Sequence, residues 1–163
     1  MAINPHIEPV TGFRPMEYDD VHRLMEIEKQ VYEHTWTEGI FRDCIRVGYR
    51  SWVYLVDGEI QAYGLISIAA NEAHILNLCV SLEYQGQGYG KRMMYKLIET
   101  AEAEGADSIF LEVRESNFRA IQLYDKQGFN RLGVRKNYYP SGQDREDALV
   151  YAKALNLPDE TEQ

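Results

Sequence analysis

Three glycines on alternate positions, Gly86, Gly88 and Gly90, lie in Gln85-Gly86-Gln87-Gly88-Tyr89-Gly90-Lys91-Arg92, which runs directly into MMYKLIETAEAEG. The second stretch has helical spacing and ends at Gly105, a residue suited to a helix stop. Before the glycines stands the apolar run AHILNLCV, and after the helix stands SIFLEVRE, both with strand patterning. The order is therefore strand, glycine loop, helix, strand. Free backbone N–H groups and the positive end of a helix at such a loop favour an anionic group, and glycine lets the backbone approach it.

Three ligand readings of the loop compete. A nucleoside-triphosphate loop needs glycine at Gln85 and Ser or Thr at Arg92, and neither is present. A dinucleotide fold finds Gly86-x-Gly88 at a helix start and an acid, Glu112, on the next strand, but its third glycine falls at Lys91 and little chain remains for a second half. The third is an acyl-coenzyme A loop of the form Gln/Arg-x-x-Gly-x-Gly/Ala, which residues 85–90 match. Against all three stands a turn that uses glycine only as a turn.

A chain of 163 residues, 45% hydrophobic and 26% charged, fits one domain spanning 1–163. Apolar runs are too short for a membrane span and the start MAINPHIEPV lacks a signal-peptide layout, so a cytoplasmic location without membrane contact is expected. Net charge is −9 with no Lys/Arg block, which argues against direct nucleic-acid binding and for a basic partner. Cys44 and Cys79 form no CxxC, and His22, His34 and His74 show no convergent spacing, so no metal site is expected.

Elsewhere the pattern predicts an extended start near 7–13 and an amphipathic helix from DDVHRLMEIEKQVY capped by Asp19 or Asp20. A shorter helix should follow a Thr35-x-x-Glu38 capping box, and a hairpin should turn at Asp57-Gly58. SNFRAIQLYDKQ reads as a helix. FNRLGVRKNYY and DALVYAKAL read as two last strands around Pro140-Ser141-Gly142, before an acidic tail from about 156.

In the order NLCV, YQGQGYGK, LEVRESNFRAIQLYDKQGF and RKNYYP, with a counterpart for YEHTWTEGIFRDCI, the sequence resembles the GNAT acetyltransferases over nearly its whole length. Within them it is most similar to the RimI type, the ribosomal-protein-alanine N-acetyltransferases, where a proline often stands at the position of Thr35. The resemblance implies an α/β GNAT fold, a mixed and mostly antiparallel sheet with helices on both faces. It also implies acetyl-CoA as acetyl donor and a protein amino terminus as acceptor, that of a ribosomal protein.

Amine acetylation by direct attack needs a base for the ammonium, a donor to the oxyanion and an acid for the thiolate. Glu112 is the candidate base, a role the resemblance assigns to its position; its plain alternative is a strand glutamate paired with Arg114 or solvated. Tyr124 is the candidate acid, and otherwise a core tyrosine. Asn117 would bond the cofactor, cap the helix that follows, or do both. Main-chain groups of Leu78, Cys79 and Val80 would pair with the coenzyme A arm, with Val80 N–H facing the oxyanion. Gly86, Gln87, Gly88, Tyr89, Gly90 and Lys91 would wrap the pyrophosphate, with Lys91 and Arg92 offsetting charge. Cys79 as a nucleophile is the alternative to a small core residue. Trp36, Tyr138 and Tyr139 would flank the acceptor. Three functions stay open: a protein N-terminal acetyltransferase, an acetyltransferase for lysine or a small amine, and a non-catalytic acyl-CoA or nucleotide-binding module.

Overall fold

The glycine loop and its flanking elements occupy the centre of one mixed seven-stranded sheet. The structure, a computed structural model, describes residues 7–155; the acidic tail lies outside them. The strands are β1 (Thr11–Pro15), β2 (Arg50–Val56), β3 (Glu59–Ala69), β4 (Glu72–Val80), β5 (Ser108–Arg114), β6 (Asn130–Ser141) and β7 (Asp144–Ala154). Four α-helices accompany them, α1 (Val21–Val31), α2 (Glu38–Arg46), α3 (Tyr89–Ala103) and α4 (Phe118–Lys126). The sheet order is β1-β2-β3-β4-β5-β7-β6, with β4 and β5 its one parallel pair. No helix among the described residues is long and apolar enough to cross a membrane.

Tight hairpins set the first half. Asp57 and Gly58 both take positive φ, as the expected turn between β2 and β3 requires, and Ala70 and Asn71 do the same between β3 and β4. Alternation along β2 and β3 then sends Tyr54, Ala62 and Ile66 to one face and Val53, Tyr63 and Leu65 to the other. The first face packs against α3 and α4 through Met93, Met94, Leu97 and Tyr124; the second packs against α1 and α2 through Leu24, Ile27, Phe41 and Cys44. Gly64 permits the close seating of α3, since a Cβ there would stand 3.0 Å from Leu97 Cδ1 and from Met93 Cγ.

Three local expectations are corrected. Thr37, not Thr35, caps α2, its hydroxyl accepting from Ile40 N at 3.2 Å, and Glu38 becomes the first helical residue, paired with Arg42. Asp20 holds the N-cap position of α1, as expected, but it also ends a 3-10 turn and its carboxylate goes to Arg14 and to Glu17 N rather than to the first N–H groups of α1. Pro140 and Ser141 remain in β6, so the last turn lies after them, between Ser141 and Asp144.

The feature that makes room for a site is local. β4 and β5 pair only at Glu72↔Ser108, Ala73↔Ile109 and His74↔Phe110, whereas β5 pairs with β7 along its whole length. Against β3 the β4 register shifts, with Leu65 opposite Asn77 and Ile66 opposite Ile75, so Leu76 is an extra residue. Such a bulge bends a strand. Beyond His74 the two parallel strands part.

Candidate active site

A cavity of about 1030 Å³ fills the gap. On one side it is lined by Leu78, Cys79 and Val80 of β4, then by Gly86, Gly88, Gly90 and Lys91 at the head of α3. Opposite stand Asn117, Arg119 and Tyr124, and at its far end Val31, Tyr32, Glu33 and His34. These last residues follow the α1 core and Tyr124 belongs to the α3/α4 core, so the cavity passes through the sheet from one face to the other. Nine of the expected residues meet around it.

The loop conformation supports an anion-binding reading. Gly86 and Gly88 take φ of +77° and +89°, and nothing lies within 4 Å of where a Cβ of Gly88 would stand. Gly88 is the N-cap of α3 with no side chain over the helix end. Arg119, which the sequence reading passed over, brings a guanidinium to the loop by donating to Gln85 Oε1 at 3.1 Å. Gln85 in turn donates to the Val80 carbonyl at 3.1 Å. The loop, the edge of β4 and α4 are thus tied together. An elongated donor carrying phosphates at one end and a thioester at the other suits this lining.

Not every loop side chain points into the cavity. Tyr89 packs between Tyr54 and Tyr84, and Gln87 donates to the Glu83 carbonyl, so their contribution would be through the main chain. Arg92 donates to Tyr54 OH at 2.7 Å and lies over the Tyr89 ring, leaving Lys91 as the cation of the pair that lines the cavity. Asn117 caps α4, its Oδ1 accepting from Ala120 N at 3.2 Å, and lines the cavity as well.

Tyr124 is buried between Phe129 and Tyr151, and burial, with the nearby Tyr139 and Cys79, pushes its phenol well above the ordinary tyrosine range. Its proton is therefore present at any working pH. Burial likewise pushes the Cys79 thiol up to about 12, which keeps it a protonated thiol at neutral pH and a poor nucleophile. Tyr139 is pushed up to about 12, by burial first and then by Glu112.

Glu112 points the other way from Tyr124. Leu111 and Val113 enter the α3/α4 core, so by alternation Glu112 stands on the opposite face of β5. Its Oε1 forms an ion pair with Arg135, 3.2 Å from Nε, and not with Arg114, and its Oε2 lies 3.8 Å from His74 Nε2. Arg114 instead donates to the Pro140 carbonyl at 2.8 Å, pairs with Glu146 and lies over the Tyr139 ring.

On this same face Glu28 of α1 is buried at 2% exposure. It accepts from Tyr63 OH, from Asn77 Nδ2 at 3.1 Å and from Trp36 N at 3.1 Å. The Trp36 ring packs on Phe41, so the turn reaches the cavity through Glu33 and His34 rather than through the indole. Tyr138 and Tyr139 sit on a bulge of β6: Arg135 opposes Ala148 and Tyr139 opposes Glu146, with Asn137 at positive φ. Arg145 donates to the Asn137 and Tyr138 carbonyls, and Asp147 accepts from Asn137 N, fixing that bulge. Glu28 carried a sequence signal, a carboxylate four residues from Leu24 on an apolar helix face; the bulge clamp, built across two strands, carried none.

Comparison with known proteins agrees with this geometry. The [ribosomal protein bS18]-alanine N-acetyltransferase of Haemophilus ducreyi is 37% identical over 137 residues, 83% of this chain and 94% of its own. That of Escherichia coli K12 is 32% identical over 142 residues, 87% of this chain and 96% of its own. The crystal structure of the Escherichia coli ribosomal-protein-S18-alanine N-acetyltransferase superposes with a TM-score of 0.85 at 31% identity, covering 93% of this chain and 98% of that one. The sequence pattern of the Acetyltransferase (GNAT) family matches residues 19–129, which include the parted strands, the glycine loop and α4. The chain belongs to the GNAT family of acetyltransferases.

Proposed function

We propose that this protein transfers the acetyl group of acetyl-CoA to the N-terminal α-amine of a protein, that of an alanine on ribosomal protein bS18. The observation that carries the reading is the extent of the similarity. The bS18-alanine acetyltransferase fold is matched along 93% of this chain and 98% of the other, far beyond the glycine loop. In this reading the loop N–H groups, Lys91 and Arg119 hold the donor's phosphates, and the β4 edge at Leu78 to Val80 holds its amide arm. The acetyl carbon then sits in the gap between the two faces.

The amine arrives on the face of Glu112, which takes its proton, and attacks directly. Tyr124, on the other face, gives a proton to the departing sulfur. Trp36, Tyr138 and Tyr139 border the acceptor. The α-amine is the easier nucleophile: it titrates near 7.7 to 8.0 and lysine near 10.4, so deprotonating lysine at neutral pH costs about 3.5 kcal/mol more. An acidic chain of net charge −9 also attracts a basic segment.

The test is mass-spectrometric mapping after incubation with acetyl-CoA, on a peptide beginning with alanine followed by arginine and on a twin with a blocked amino terminus. Acetylation of the free amino terminus alone is expected. Equal modification of the blocked twin, on lysine, would reassign the enzyme to lysine or small amines.

A further inference from the structure

Turning an ammonium into an amide removes two protons from the nitrogen. One of them ends on the coenzyme A sulfur. The other must leave the protein once per turnover, and with Glu112 as the base it leaves by way of that carboxylate. Glu112 is poorly placed to release it to water unaided, since its side chain is 14% exposed and Oε1 is engaged by Arg135. Oε2 faces His74, whose imidazole is 41% exposed.

The backbone explains why the two side chains meet. His74 is the last β4 residue paired with β5, opposite Phe110, and Glu112 follows Phe110 by two positions, so both stand on one face at the root of the gap. We propose that His74 is the proton exit of the site, acting through Glu112; the inference rests on the assignment of Glu112 as base. The proton taken from the amine nitrogen passes from Glu112 Oε2 to the lone pair on His74 Nε2, across 3.8 Å by a small approach or through one water. The imidazolium then gives its Nδ1 proton to bulk water, and exchange with water returns the remaining ring proton from Nε2 to Nδ1 before the next turnover, so only N–H and O–H bonds are made or broken. The Arg135 guanidinium stands 3.2 Å from the other carboxylate oxygen, Oε1, so Oε2 is the oxygen left to face His74. The charged groups around the pair are Arg135 from β6 and, on the strand of His74 itself, Glu72; β3 presents the uncharged Ser67 opposite His74.

The test is turnover of His74→Gln on the alanine peptide at low buffer concentration, followed by mass spectrometry of the acetylated peptide, with and without added imidazole. A relay residue predicts kcat reduced about tenfold or more at unchanged peptide KM, and restored by imidazole, while the wild type is insensitive to it. A histidine with a structural role only would leave a loss that buffer does not mend. Wild-type turnover of His74→Gln, or a loss without buffer rescue, overturns the relay and leaves the base assignment standing. Glu112→Gln separates the two: near-normal turnover in that variant removes the base and the relay together.

Discussion

Replacing Glu28 by alanine should be among the most damaging single changes on the acceptor side. The carboxylate is the common acceptor for Tyr63 OH, Asn77 Nδ2 and Trp36 N, and both Glu28 and Tyr63 are fully enclosed. The Tyr63 hydroxyl has no route to water, and a buried donor left without an acceptor costs about 1–3 kcal/mol. Asn77 and Trp36 are only partly buried and recover part of their loss by hydration, so each adds about 0.5–1 kcal/mol. Removing the carboxylate also relieves its own desolvation, which trims the sum. The expected destabilisation is about 3 kcal/mol, or roughly 6–12 °C in Tm for a domain of this length. Urea unfolding followed by circular dichroism measures it. Glu28→Gln should fall between, because its amide presents one acceptor where the carboxylate presents two. Because Trp36 N is released, peptide KM should rise in Glu28→Gln while acetyl-CoA affinity holds. A loss below about 1 kcal/mol in Glu28→Ala would refute the reasoning, since it would mean that the three donors find other partners.

Tyr124→Phe should keep acetyl-CoA binding by calorimetry and lower turnover by roughly a hundredfold, the usual scale of a lost general acid; wild-type turnover with chemistry rate-limiting would assign Tyr124 to packing. Gly88→Ala should leave the protein folded, since nothing stands within 4 Å of the new Cβ, at a strain of about 1–2 kcal/mol from its positive φ. Acetyl-CoA affinity should nevertheless drop at least about tenfold, and unchanged affinity would remove the loop from the donor site. Arg145→Ala frees the Asn137 and Tyr138 carbonyls and should raise peptide KM without changing donor affinity; equal loss of both would mark a general folding defect. Burial alone would raise the Asp20 carboxyl, but the Arg14 guanidinium at 2.7 Å and the Glu17 amide hold it below the usual range. A depressed carboxyl contributes stability that is present above its unfolded value near 3.9 and lost as pH falls through the folded value. Asp20→Asn should therefore flatten the acid limb of stability below about pH 4, and an unaltered limb would show the pair contributes nothing there.

What the sequence disclosed is what depends on neighbours along the chain. The Asp57-Gly58 turn, the glycine loop and the Asn117 cap each rest on residues within a few positions, and each stands where the pattern places it. The Thr35-x-x-Glu38 box failed for a non-local reason: Glu28, eight residues back, holds Trp36 N and keeps the chain extended up to Thr37. Pro140 looked like a turn, yet β6 is an edge strand, where a missing N–H costs no ladder bond. His74 read as an ordinary histidine because its partner Glu112 lies 38 positions away, brought near only by the parallel pairing of β4 with β5. Arg135 and Glu112 likewise meet only in the folded sheet, across β7, which lies between their strands.

The arrangement of the sheet also bears on why Glu112 and Tyr124, the proposed base and acid, occupy opposite faces. Glu112 and Tyr124 cannot meet around the edge of β5, because β7 pairs with that strand at every position from Ser108 to Arg114. The route between them is the gap on the other side of β5, where the extra residue Leu76 turns β4 aside. In the proposed reaction, donor and acceptor would therefore approach from different faces and their reacting atoms would meet within the thickness of the sheet. Tyr32 stands at this crossing: its hydroxyl donates to the Leu78 carbonyl, on the β4 edge assigned to the donor, while its backbone begins the turn that carries Glu33, His34 and Trp36. A donor arm that pairs with β4 as proposed would share Leu78 with this contact, which joins the β4 edge to the start of the turn.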